Sequence, residues 1–105
     1  MSRKGVLVEG ASFGYETVAA SQTAQVLGST GKAGDLLSHV VFQPTTTGMG
    51  TSTILDNTTV IYTLTTGTLV DLRPIVVPIN AVSVNGAWKI TTGANGTATA
   101  FGEFT

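Results

Sequence analysis

The side chains best able to do acid–base chemistry in this sequence are six dispersed carboxylates: Glu9, Glu16, Asp35, Asp56, Asp71 and Glu103. Hydrolysis of a glycosidic bond needs two carboxylates held on either side of that bond. The spacing of the six carboxylates in the sequence does not indicate which two could form such a pair. Asp56 and Asp71 lie at the ends of predicted strands, where capping of a turn or a salt bridge to Arg73 is the simpler interpretation. We therefore predict that the protein is not an enzyme.

The sequence gives no better support for nucleophilic or metal-assisted catalysis. The sequence has one histidine, His39, and no cysteine. A catalytic triad needs a nucleophile and an orienting acid beside the histidine, and a zinc site needs further ligands that no local spacing supplies. We expect no catalytic residue, no metal and no cofactor. His39 is predicted to be a structural or interface residue, with pH sensitivity as the alternative.

A phosphate-binding loop is suggested by Gly31-Lys32, which follows a predicted strand. The P-loop pattern requires a glycine five residues before its second glycine and a serine or threonine after the lysine. The sequence has Val26 and Ala33 at these positions, so the match fails twice. The glycines from Gly28 to Gly34 are therefore predicted to supply positive-φ corners in a surface turn.

Composition excludes several partners. Charged residues make up 10% of the 105 residues and the formal net charge is −1, so the chain lacks the basic stripe expected of a nucleic-acid-binding protein. Arg3 and Lys4 precede only three apolar residues, too few for a signal-peptide core, and no apolar run approaches the length of a membrane span. We expect a soluble protein made in a cytoplasm, with no membrane, nucleic-acid or small-molecule partner.

The elements that must position any functional side chain are predicted to be short β-strands. Runs of alternating or β-branched residues recur every 8–12 residues between turn signals, which is typical of an antiparallel β-sandwich or barrel. Residues 1–20 are predicted to form an N-terminal arm, in which Tyr15 to Ala20 could form a short edge strand, and residues 21–105 the β-domain. The predicted strands of that domain are Gln22–Leu27, Asp35–Pro44, Ser52–Leu55, Thr59–Thr65, Pro74–Val84, Trp88–Thr92 and Thr97–Phe104.

The strongest local signal is Asn85-Gly86, which lies between two apolar runs and is typical of a hairpin turn. We predict that Pro74–Val84 pairs with Trp88–Thr92 across it. A three-residue connection or a bulge would place Val84 opposite Trp88 and Val82 opposite Ile90, which collects the large side chains on one face. Pro74 and Pro78 cannot donate a hydrogen bond to a neighbouring strand, so they favour an edge, a strand start or a bulge.

The strand from Asp35 to Pro44 is predicted to be apolar on both faces. Simple alternation puts Leu36, Ser38, Val40 and Phe42 on one side and Leu37, His39, Val41 and Gln43 on the other. A strand of this kind is either enclosed by the fold or covered by another subunit. The side chains left over in this alternation are Leu37, His39 and Val41, and we expect them to lie at a contact with another subunit.

Three segments, taken in this order, resemble the small head-decoration (cement) proteins of tailed bacteriophages: Gly34-Asp35-Leu36-Leu37-Ser38-His39-Val40-Val41, Ile54-Leu55-Asp56, and Gly86-Ala87-Trp88-Lys89-Ile90-Thr91-Thr92-Gly93. The family pattern is a strand after Gly-Asp, a strand closing in an Asp-containing turn, an apolar run with prolines, and Gly-aromatic-x-Ile/Val-x-Thr-x-Gly. The resemblance covers roughly residues 22–105, and its motifs are strand and turn signals that other phage structural proteins share.

The resemblance implies a jelly-roll-like β-sandwich that assembles as a homotrimer on the outer surface of a bacteriophage capsid. Such a protein binds the major capsid protein and stabilises the contacts between capsomers, so its place is the virion, after synthesis in the host bacterial cytoplasm. We expect the arm and one end of the sandwich to contact capsid, through Val6, Leu7, Val8, Phe13 and Tyr15. The trimer interface that the resemblance implies is then predicted to include Leu37, His39 and Val41.

The alternative is a receptor- or glycan-binding module of a phage tail or fibre. In that interpretation Trp88, Tyr62 and Asn57 would recognise the ligand, since aromatic rings stack on sugars. Trp88 lies at the end of a valine-rich run, however, and a tryptophan in that position is more often part of a core.

Overall fold

The computed structural model describes residues 13–30, 32–46, 48–65 and 72–105, and every regular element in these ranges is a β-strand. The strands are β1 (Phe13–Val18), β2 (Gln25–Val26), β3 (Leu36–Pro44), β4 (Thr51–Asp56), β5 (Thr59–Thr65), β6 (Ile75–Val82), β7 (Trp88–Thr91) and β8 (Gly96–Glu103). The all-β class is confirmed, and β3, β4, β5 and β8 lie within one or two residues of their predicted bounds.

The strands form two antiparallel sheets of four strands each. The first sheet has the order β1-β8-β3-β6, and the second has the order β2-β7-β4-β5. Pro78 lies in β6, at an edge of the first sheet, as its missing N–H predicts.

One hydrophobic cluster joins the inner faces of the two sheets. The first sheet contributes residues such as Val40, Phe42 and Ala100, and the second contributes Ile54, Trp88 and Ile90. The alternation in β8 shows why the sequence folds this way: its even-numbered residues from Gly96 to Gly102 are buried and small, and its odd-numbered ones are partly exposed. The small residues of β8 leave room for the larger side chains opposite.

The hairpin predicted at Asn85-Gly86 is wrong. β6 and β7 lie in different sheets, so this segment crosses from one sheet to the other. The loop is held by the turn between β4 and β5: the backbone N–H groups of Val84 and Asn85 donate to the Asp56 carboxylate at 2.9 and 3.1 Å. Val82 and Val84 are 53% and 79% exposed, so they do not share a buried face with Trp88. Asn-Gly specifies a local reversal, but not which strands pair across it.

The two faces of β3 differ from simple alternation because the strand contains a β-bulge. Its register with β8 shifts between Leu37 and His39, which makes Ser38 an additional residue. The bulge turns Leu37 to the same side as Val40 and Phe42, and all three are fully buried in the core. Leu37 has no exposed surface, so it cannot contribute the trimer contact predicted for it.

The boundary predicted between residues 20 and 21 does not coincide with the edge of the β-structure. β1 pairs with β8 along its whole length, from Phe13 opposite Glu103 to Val18 opposite Ala98. Residues 13–18 are therefore part of the first sheet, two residues earlier than the edge strand predicted at Tyr15 to Ala20. Residues 1–12 of the predicted arm lie outside the described residues.

Candidate interaction face

Four side chains form a row across the outer face of the first sheet. The register places Tyr15 of β1 opposite Phe101 of β8, Phe101 opposite His39 of β3, and His39 opposite Pro78 of β6. Directly opposite residues of an antiparallel pair share a face. A second row lies beside the first and consists of Thr17, Thr99, Val41 and Val76. We call these eight residues the aromatic face.

Ring contacts hold the centre of the aromatic face. The His39 imidazole is stacked on the Phe101 ring with centroids 4.6 Å apart and planes 13° apart, and Tyr15 lies 6.0 Å from Phe101 at a tilt of 46°. The Ser38 hydroxyl lies 3.1 Å from His39 Nδ1. The bulge residue thus fixes the imidazole from one side while Phe101 supports its plane. Such packing lets the rings present a fixed surface with little loss of side-chain entropy on binding.

The aromatic face is apolar and accessible. Tyr15 is 67% exposed and Val76 is 59% exposed, and His39, Val41 and Phe101 are partly exposed. None of its eight residues is an acid, a lysine or an arginine. Exposed apolar side chains grouped on one face are typical of a site where another molecule binds.

The structure brings together residues that the sequence assigned to two separate contacts. Tyr15, predicted to bind capsid, lies in the same row as His39, predicted to form the trimer interface, and Val41 lies in the next row. For Phe13 the structure describes only the backbone, which begins β1. Val6, Leu7 and Val8 lie outside the described residues.

Sequence reasoning missed Phe101, which connects Tyr15 to His39. The signal for it was present, since Ala98 and Ala100 alternate with Thr97 and Thr99, and Phe101 continues the threonine side. That parity places its ring on the partly exposed face of β8. Val76 and Pro78 were missed as members of this face because β6 was expected to pair in a hairpin with β7.

Three of the described carboxylates accept hydrogen bonds from backbone N–H groups. Asp35 is 4% exposed and accepts from the Thr105 N–H at 2.9 Å and from the Thr105 hydroxyl at 2.8 Å. Asp56 is 5% exposed and binds the loop at Val84, and Glu16 Oε2 accepts from the Gly28 N–H at 2.9 Å. Asp56 thus has a structural role, because it binds the backbone of the loop at Val84 and Asn85.

Within the described ranges, no three His, Asp or Glu side chains are grouped so that they could hold a metal ion. The same part of the chain contains no helix long and apolar enough to cross a membrane.

Gly28 and Gly34 adopt positive φ angles of 91° and 101°, as predicted for corners of the surface turn.

Of the residues predicted for glycan recognition, Trp88 is unavailable. It is 2% exposed, and its indole N–H donates to the backbone oxygen of Asp35 at 2.9 Å, so its prediction as a core residue is confirmed. Tyr62 is 36% exposed at the edge of the second sheet, and Asn57 forms the turn before β5 with a φ of 60°. These two residues lie on the second sheet, away from the aromatic face.

None of the protein-family models, curated proteins or solved structures that were compared with this chain matches it.

Proposed function

We propose that this chain is a bacteriophage capsid decoration protein, which binds as a homotrimer to the outer capsid surface and stabilises the contacts between capsomers. The proposal includes a β-sandwich of jelly-roll topology with an N-terminal arm, and it assigns no catalytic role. The order of strand pairing supports it most strongly.

The pairing is nested from the ends of the chain inwards. β1 lies beside β8, β2 beside β7, β3 beside β6 and β4 beside β5. This order results when one long antiparallel hairpin folds over on itself into two sheets. The same order is expected of an eight-stranded jelly roll, an architecture used by viral capsid domains and by lectins, and it therefore supports the proposed topology. A jelly-roll fold alone does not specify a function, so the proposal also depends on the surface.

The part of the aromatic face on β8, β3 and β6 supplies the trimer interface in this proposal. His39 and Val41 lie in the middle of the sheet and contact a sister subunit, which covers the apolar surface that one copy leaves exposed. Burying such surface contributes about 25 cal/mol per Å² before the costs of association. The rows contain no acid, lysine or arginine, so these residue types cause no like-charge repulsion between two copies.

Tyr15 and Phe13 lie on β1, at the edge of the same sheet where the arm enters. We assign the capsid contact to this edge together with Val6, Leu7 and Val8 of the arm. Each subunit then makes a small contact with the major capsid protein. Three linked subunits bind much more tightly than one because the second and third contacts form at high effective concentration.

Co-sedimentation with capsids tests the assignment. The capsids would be assembled from the major capsid protein encoded in the same genome, and the full chain should pellet with them. A variant that begins at Phe13 keeps all eight strands, so it should remain folded by circular dichroism but lose most of its capsid binding. If the full chain stays in the supernatant, the proposed function is wrong. If the shortened chain binds as well as the full chain, only the role of the arm is wrong.

Glycan binding as part of a phage tail or fibre is the second candidate, because lectin domains share the nested pairing. With Trp88 buried, recognition would depend on Tyr62 and Asn57. Binding on a glycan array that is lost in Tyr62→Ala, with unchanged thermal unfolding, would favour this candidate over capsid decoration.

A further inference from the structure

β5 is an edge strand with an apolar surface. It pairs with β4 on one side and has no strand of the described residues on its other side. Three consecutive side chains are exposed: Val60 by 53%, Ile61 by 47% and Tyr62 by 36%. A β-bulge explains the run, because Ile61 is an additional residue between Val60, opposite Leu55, and Tyr62, opposite Ile54.

The other three edges carry features that hinder strand addition, and β5 largely lacks them. β6 contains Pro78, β1 contains Glu16 and β2 has only two residues. From Thr59 to Thr65, β5 has no charged residue and no proline, and every residue is β-branched, aromatic or leucine. The bulge at Ile61 is the one feature of β5 that hinders the addition of a strand. Beyond it, the residues from Tyr62 to Thr65 pair regularly with β4. Among the residues that the structure describes, no strand covers this half of β5, and we treat it as open to another strand.

We infer that β5 pairs with β5 of a second copy, antiparallel about a two-fold axis at Thr63. The sequence favours this occupant because the regular half of the strand is complementary to itself. With Thr63 opposite its own copy, Tyr62 of each chain lies opposite Leu64 of the other, and both of these side chains belong to the inner face beside Ile54 and Ser52. Threonine pairs and aromatic–aliphatic pairs are favourable across antiparallel strands.

This contact joins the second sheets of two copies into one sheet of eight strands. It uses a different surface from the aromatic face, so it does not depend on the proposed trimer. In the proposed setting on a capsid, it would link one trimer to a neighbouring trimer across a two-fold axis, since an isologous contact closes on two copies.

Disulfide cross-linking tests the pairing directly. The chain contains no cysteine, so every disulfide must form between introduced thiols. Directly opposite residues of antiparallel strands have Cα atoms about 4.5–5.5 Å apart, which a disulfide can bridge. Thr63→Cys places one thiol beside its own copy at the axis. Thr51→Cys is the matched control: it is also an exposed threonine of the second sheet, but it lies on β4, where Thr65 of β5 separates it from the sheet edge.

Under mild oxidation at micromolar concentration, Thr63→Cys should form a covalent dimer at least about tenfold faster than Thr51→Cys, because paired strands hold the thiols at roughly millimolar effective concentration. Adding Tyr62→Lys, which places a charge against Leu64 of the second copy, should reduce the rate to that of the control. Equal rates for the two cysteine variants would overturn the inference, and so would cross-linking that Tyr62→Lys leaves unchanged. Sedimentation of the same samples reports separately whether the trimer is present.

Discussion

Replacing Leu37 by alanine should destabilise the protein far more than replacing its neighbour Leu36. Leu37 is fully buried between the sheets, whereas Leu36 is partly exposed. A buried Leu→Ala substitution costs about 2–5 kcal/mol, from lost transfer free energy and from the cavity that remains. For Leu36→Ala only part of the side chain is removed from a buried environment, so we expect a loss below about 1.5 kcal/mol.

Urea unfolding followed by tryptophan fluorescence measures both losses. Trp88 is the single tryptophan and is 2% exposed in the core, so its emission reports the loss of core packing directly. The midpoint should fall at an unchanged m-value. In thermal unfolding, a loss of 2 kcal/mol or more corresponds to a decrease of at least roughly 8 °C for a domain of about this size.

The comparison tests the bulge at Ser38. With uninterrupted alternation, Leu36 would share the core side with Val40 and Phe42, and Leu37 would face outwards with Val41. If Leu36→Ala costs as much free energy as Leu37→Ala, or more, the bulge is misplaced and so is His39 on the aromatic face. Both variants should be compared at several protein concentrations, because association contributes to apparent stability.

Two further substitutions test the contacts that fix the loops and the strand spacing. Asp56→Ala leaves the N–H groups of Val84 and Asn85 without their carboxylate acceptor, so the free energy of unfolding in urea should fall by about 1.5–3 kcal/mol. A loss below about 0.5 kcal/mol would contradict the role of Asp56 in holding this loop. Gly102→Ala introduces a Cβ that overlaps the backbone oxygen of Leu36, which should force β3 and β8 apart and lower the thermal unfolding temperature. An unchanged unfolding temperature would show that the strands are not this close.

Strand positions were predictable because their signals are local. Alternation from Thr59 to Thr65 and the turn residues before it gave the bounds of β5, and the positive φ of Asn57 agrees with the predicted turn. Pro78 correctly indicated an edge strand. In each case the information lies in the side chains of the segment itself.

Strand partners and strand faces were less predictable, since they depend on distant residues. Asn85-Gly86 produces a chain reversal in either arrangement, and only the packing of the whole chain sends β6 and β7 to different sheets. Bulges at Ser38 and Ile61 each add one residue and reverse the faces beyond it, with no distinctive residue type to mark them. Because the bulge at Ser38 leaves no signal in the sequence, simple alternation predicts the wrong face for Leu37.

The candidate site was predicted in part for the same reason. Tyr15, His39 and Val41 were selected for their types, and the structure places them on one face. Their connection through Phe101 required the register of three strands. Residue types therefore identified members of the face, and long-range pairing determined that they form one surface.

Analytical ultracentrifugation of the purified chain and of Val41→Lys tests most directly whether the aromatic face binds sister subunits. We predict that the unmodified chain sediments at three times 10.7 kDa, or at a multiple of that mass where β5 edges also pair, and that a lysine in the aromatic face abolishes the trimer. Val26→Lys is the control, because Val26 is 41% exposed on the second sheet, and this variant should remain trimeric. An unmodified chain that sediments as a monomer at all concentrations, or a Val41→Lys variant that stays trimeric, would contradict the account.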